Sequence, residues 1–178
     1  MGLYLRPQKS CLVKILLLKE GNLLTTLENT PLAIWVGESL WAYPSLLACH
    51  IVGLAIVVGL LTTRDLKLLG FFPGFDYQIF SDLMPVIVVA FGLNAVSGFL
   101  LFSSQASYLA TSMPFLAKLI CIAVGLVCAI NQQMLEKKSI IGGAETLASG
   151  ILTKAAACIS LISWIGAIIA GRLIAYIF

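Results

Sequence analysis

The sequence predicts an all-α fold: an integral membrane bundle of four transmembrane helices, preceded by an N-terminal interfacial helix. Three observations carry that expectation. Charged residues make up 11% of the 178 and hydrophobic ones 60%, whereas an ordinary soluble domain is roughly a quarter charged. Folded in water, such a chain would expose broad apolar patches. The mean hydropathy is +1.04. The apolar residues also gather into four stretches, at about 40–62, 83–102, 115–131 and 154–175, each near the roughly 20 residues that cross a hydrocarbon core as a helix.

Residues 1–37 are expected to form a tail and an interfacial amphipathic segment, and residues 38–178 the four-helix transmembrane domain. In the tail, Arg6, Lys9, Lys14 and Lys19 alternate with leucines, a pattern suited to lying on a membrane surface. Lys14 interrupts the apolar run Leu12–Leu18 and no small-residue cleavage site follows, so the run does not read as a signal peptide. A frayed tail is the plain alternative. Thr30-Pro31 has the form of a helix start, with Thr30 as N-cap and Pro31 in the first turn. The following Leu32–Gly37 is too short to span, which leaves an interfacial helix with Trp35, Trp41 and Tyr43 at headgroup level.

Polar connectors separate the apolar stretches. Thr63–Asp82 holds Arg64, Asp65, Lys67, Asp76, Asp82 and the turn signal Pro73-Gly74. Ser103–Pro114 is an uncharged link, and Asn131–Ser149, with Glu136, Lys137, Lys138, Glu145 and Gly142-Gly143, is polar enough to leave the membrane. Arg64, Lys67, Lys137, Lys138 and Lys154 then put the first and third connectors in the cytoplasm and both termini outside, although the basic tail argues the other way.

Net charge is only +3, too weak for a nucleic-acid footprint. Cys11, Cys49, Cys121, Cys128 and Cys158 have neither zinc-ligand spacing nor that of a disulfide framework. Chemistry is therefore sought at polar residues within the spans, where each is costly. His50, the single histidine, sits within the first span and shares a face with Tyr43, Leu46, Gly53 and Val57. Gly53, one turn on, leaves space for a flat ligand or a close helix. Three roles are open to His50: a ligand of haem iron or another metal, an interhelical hydrogen bond, or proton and quinone chemistry.

In the second span, Ala90, Asn94, Ser97 and Gly98 share a face suited to close helix packing. In the third, Lys118, Cys121, Gly125 and Cys128 form a stripe that Gln132 continues. Lys118 is placed either to snorkel to the surface or to bind an anionic group within the bundle. In the fourth, Ser160, Ser163, Gly166, Ala167 and Ala170 form a small face, while Arg172 falls opposite, with Ile165, Ile168 and Tyr176. Alternating spans bring Lys118 and Arg172 to the leaflet from which His50 is reached, so a haem on His50 would direct its propionates toward them.

The run Glu38-Ser39-Leu40-Trp41-Ala42-Tyr43-Pro44, then Cys49-His50-Ile51-Val52-Gly53-Leu54, then Arg64-Asp65-Leu66-Lys67-Leu68-Leu69-Gly70 resembles a family of small bacterial four-helix membrane proteins of unknown function. Ala90–Phe102, Pro114–Leu119 and Gly171–Tyr176 extend the resemblance. More distantly the chain is similar to copper-resistance D-type membrane proteins and to haem-binding protoporphyrinogen oxidases. The latter similarity implies haem b on His50 and a membrane redox role, although no second histidine exists for bis-histidine ligation. The leading expectation is thus a b-type haem or quinone-linked redox component of a bacterial inner membrane, with His50, Gly53, Lys118 and Arg172 at the cofactor and His50 as metal ligand. The alternatives are an accessory subunit packed on partner helices and a copper-handling protein. The expected partners are the lipid bilayer and a second copy of the chain or a larger membrane complex.

Overall fold

The computed structural model describes residues 23–72, 77–142, 150–174 and 176. The basic tail with Arg6, Lys9, Lys14 and Lys19, the Pro73-Gly74 turn with Asp76, and Gly143 and Glu145 lie outside the described residues. A helical turn at 23–28 leads into α1 (Pro31–Glu38), α2 (Ala42–Leu68), α3 (Tyr77–Asp82), α4 (Met84–Ser103), α5 (Ala106–Thr111), α6 (Met113–Gly142) and α7 (Ile151–Ile174). No strand occurs among the described residues. The chain is an all-α bundle in which α2, α4, α6 up to Leu135, and α7 are each long and apolar enough to cross a membrane.

The start of α1 follows the sequence. The Ala33 amide donates to Thr30 Oγ1 at 3.3 Å, and Pro31 opens the first turn, which satisfies one of the orphan donors of a helix N-terminus. Ala33 and Val36 are buried, while Trp35 and Trp41 are exposed, as suits an apolar segment at an interface. The link between α4 and α6 contains the short helix α5, and Glu28 pins it. The Glu28 carboxylate accepts from the Ser107 amide at 2.7 Å and from the Ser107 hydroxyl at 2.8 Å. Negative charge is favourable at these unpaired first-turn amides.

Two long elements correct the sequence-derived boundaries. The helix of the first span does not stop with the apolar stretch near residue 62 but runs on to Leu68. Gly53, Val57, Leu61, Arg64 and Leu68 are all buried along it, a helical stripe that continues without interruption from apolar residues into a charged one. Helix α6 likewise runs through Asn131 to Gly142, where a departing connector was expected.

Helix α2 packs against α4 and α7, and α7 against α6. Val57, Leu61, Ile87, Ala90, Ala129 and Trp164 form the shared apolar core. Small residues bring the helices together. A Cβ on Gly53 would stand 3.0 Å from the Ala90 carbonyl oxygen, and one on Gly125 would stand 2.9 Å from Trp164 Cε2. Close approach of this kind replaces the hydrophobic driving force that lipid cannot supply. Most other apolar side chains of α4 and α7, such as Val89, Val96, Ile162 and Ile165, face outward.

Candidate functional site

His50 lies near the start of α2, about 12 Å along the axis from Ala42. It is half-buried where α2, α4 and α6 converge. Its Nδ1 is 2.9 Å from the Asn94 carbonyl oxygen and 3.3 Å from Ser97 Oγ. A carbonyl can only accept, so Nδ1 carries the proton and Nε2 is left as the acceptor. Lys118 Nζ then donates to Nε2 at 3.5 Å. Asn94 therefore reaches His50 through its backbone rather than through its side-chain amide.

Glycines shape the surroundings of the ring. A Cβ on Gly98 would stand 2.8 Å from His50 Cε1, so α4 approaches the imidazole as closely as its backbone permits. The space beside Gly53 is taken by α4 at Ala90 and Asn94, the closer-helix alternative of the two that the sequence left open. Lys118 does not snorkel outward. Its Cδ, Cε and Nζ each lie 3.7 Å from a Cβ built on Gly171, so the side chain runs inward along α7 to His50. Arg172, the next residue, is exposed.

These contacts bear on an iron porphyrin. Both ring nitrogens have protein partners, and the spaces at Gly53 and Gly98 are filled by α4 and by the ring itself. In this arrangement the residues do not present His50 to haem iron. Among the described residues there is also no group of three or more His, Cys, Asp or Glu side chains placed to hold a metal ion.

A second polar cluster lies at the other end of α2, about 21 Å from His50 along the axis. Sequence reasoning put Arg64 and Asp65 in a connector, but their exposures are only 2% and 1%. Arg64 Nη2 donates to the Ala129 carbonyl at 2.8 Å and to Gln132 Oε1. Ser160 and Gln132 are within reach of the Asp65 carboxylate, as is the Arg64 charge. Yet Asp65 Oδ2, Ser160 Oγ and Gln132 Nε2 have no partner in hydrogen-bond geometry, and neither does Trp164 Nε1. Lys67 is also buried, and its Nζ lies 5.9 Å from the centroid of the Phe80 ring, which docks α3 by a cation–π contact. An arginine and an aspartate inside a bundle are costly and must be held by partners. A legible sign was present, because Val57, Leu61, Arg64, Asp65 and Leu68 keep the spacing of one helix face. Trp164 had no such sign, since only the fold sets it over Gly125.

Fold and polar interior together define a multi-pass helical membrane protein. Comparison with protein families, curated proteins and solved structures returns no significant match to this chain.

Proposed function

We propose that the chain is a quinone-linked redox component of a bacterial inner membrane, which holds a quinone-type headgroup beside His50 and Lys118. The observation that carries this reading is the His50–Lys118 pair itself, half-buried where α2, α4, α6 and α7 meet. An ammonium group has three donors, and the contact with Nε2 uses one. The others are complementary to the carbonyl oxygens of a flat diketone ring whose apolar tail dissolves in hydrocarbon. His50 holds Lys118 in position, and Asn94 and Ser97 hold His50. Reduction of such a headgroup takes up protons, which makes an amine–imidazole pair at the site chemically apt.

The test is quinone retention by protein reconstituted in nanodiscs loaded with a short-chain ubiquinone. The wild type should retain quinone above empty discs, and His50→Ala and Lys118→Met should retain at least about tenfold less, as expected if they remove about 1.4 kcal/mol of binding. Retention equal to that of empty discs refutes the reading. A reduced-minus-oxidised spectrum of protein from haem-replete cells gives the competing arm, since a Soret band lost in His50→Ala would return the assignment to haem b.

A second reading, an accessory subunit, is favoured by Arg172. It is exposed beside Ile165 and Ile168, where a partner helix or a second copy would give the guanidinium a buried acceptor. Cysteine cross-linking between copies at Ile165 would support that assembly.

A further inference from the structure

We propose that Asp65, Ser160 and Gln132 enclose a buried water through which Asp65 exchanges protons with the aqueous phase at the α2 C-terminal end of the bundle. The three side chains come from α2, α7 and α6, and each is 1% exposed. Asp65 Oδ2 offers an acceptor, Gln132 Nε2 a donor and Ser160 Oγ either; Ser160 and Gln132 approach the carboxylate, yet none of the three atoms has a partner in hydrogen-bond geometry. A buried water makes about three hydrogen bonds to polar groups that would otherwise go unsatisfied. That number and mixture of donors and acceptors is what the cluster presents.

The other ligand classes fit poorly. A cation would meet the Arg64 charge beside Asp65, and an anion would meet the Asp65 carboxylate. A neutral, proton-carrying molecule suits both. Among the described residues, the charged and titratable groups that act on Asp65 are Arg64 from its own helix and Cys128 from α6. Helix α7 contributes Ser160, which bears no charge.

Position sets the site nearer one end of the bundle than the other. Asp65 is three residues from the end of α2, about 5 Å along the axis. Toward the other end lies the apolar core of Trp164, Val57, Leu61, Ile87, Ala90 and Ala129, which offers a proton no polar groups to follow. The step is a simple transfer, in which hydronium from that aqueous side protonates the carboxylate and leaves water. The reverse step returns the proton to the same side. Nothing in this site depends on His50, so it stands or falls apart from quinone binding.

The test is infrared difference spectroscopy of the reconstituted full chain between neutral and acidic buffer, in H2O and in D2O. The wild type should show a carbonyl-stretch band of a protonated buried carboxyl that shifts down in D2O. Asp65→Asn should lose it, Ser160→Ala should shift it, and Glu28→Gln should leave it unchanged. A wild type without the band, or a band that survives Asp65→Asn, overturns the proposal. Should Asp65→Asn fail to fold, Ser160→Ala and Gln132→Leu decide, because a band indifferent to both would not belong to Asp65.

Discussion

At the scale of single residues, the two polar centres differ in how completely the protein satisfies them. The His50 ring is held on both nitrogens, so its removal costs interhelical hydrogen bonds worth about 0.6 kcal/mol each on average in membranes. The glycine beside it is less forgiving. Gly98→Ala puts a methyl 2.8 Å from His50 Cε1, whereas Gly92→Ala meets nothing within 4 Å. Overpacking of this kind costs roughly 1–3 kcal/mol, so thermal unfolding in detergent should show a lower Tm for Gly98→Ala than for Gly92→Ala. Equal midpoints would mean that α4 can move away from the ring. Gly125→Ala, 2.9 Å from the Trp164 indole, should be destabilising in the same way, with Gly59→Ala, which meets nothing within 4 Å, as its neutral control.

Among the elements, α5 is held in position by a distant side chain. It is six residues long, too short to persist on its own propensity, and the Glu28 carboxylate holds its first turn. Hydrogen bonds to a charged group contribute about 1.5–3 kcal/mol. Glu28→Ala should therefore speed hydrogen exchange of the Ser107 amide by roughly tenfold or more. Exchange unchanged from wild type would show that α5 is held by packing alone. At the far end of the bundle, Arg64 ties α2 to α6 through Ala129 and Gln132. Arg64→Lys replaces the guanidinium, whose Nη2 makes both bonds, with an ammonium of shorter reach and stronger hydration, and loss of one partner from a buried charged network costs several kcal/mol. Both Arg64→Lys and Arg64→Ala should lower the Tm, the alanine variant more. A wild-type midpoint in Arg64→Ala would remove Arg64 from the account of how the bundle is held together.

For the whole molecule, four spans place the links after α2 and α4 on opposite faces of the bilayer. In a background free of native cysteines, Phe71→Cys and Gln105→Cys should react with an impermeant maleimide from opposite sides. Labelling of both from one side would contradict four spans. The antiparallel packing also explains why the polar centres stand apart. The start of α2, the end of α4, the start of α6 and the end of α7 meet around His50 and Lys118. The opposite ends of α2 and α6, with the first turns of α7, surround Asp65. Between the two lies the apolar core of Val57, Leu61 and Trp164.

Composition and apolar run length by themselves determined that this chain is a helical membrane bundle with four spans, because hydrocarbon leaves a backbone few ways to satisfy its hydrogen bonds. The cap at Thr30, the buried faces at Asn94–Gly98 and Ser160–Ala170, and the common end of His50, Lys118 and Arg172 were legible in the same way, from local chemistry, helical periodicity and alternation of spans. What His50 touches was not, since a single sequence carries no register between helices. Nor was the burial of Arg64 and Asp65. Charges after an apolar run read as the membrane boundary, and only packing against α6 and α7 converts them into an interior. The tertiary structure thus decided which polar groups face one another, because in a bilayer it is close approach at Gly53, Gly98 and Gly125 that sets the helix register.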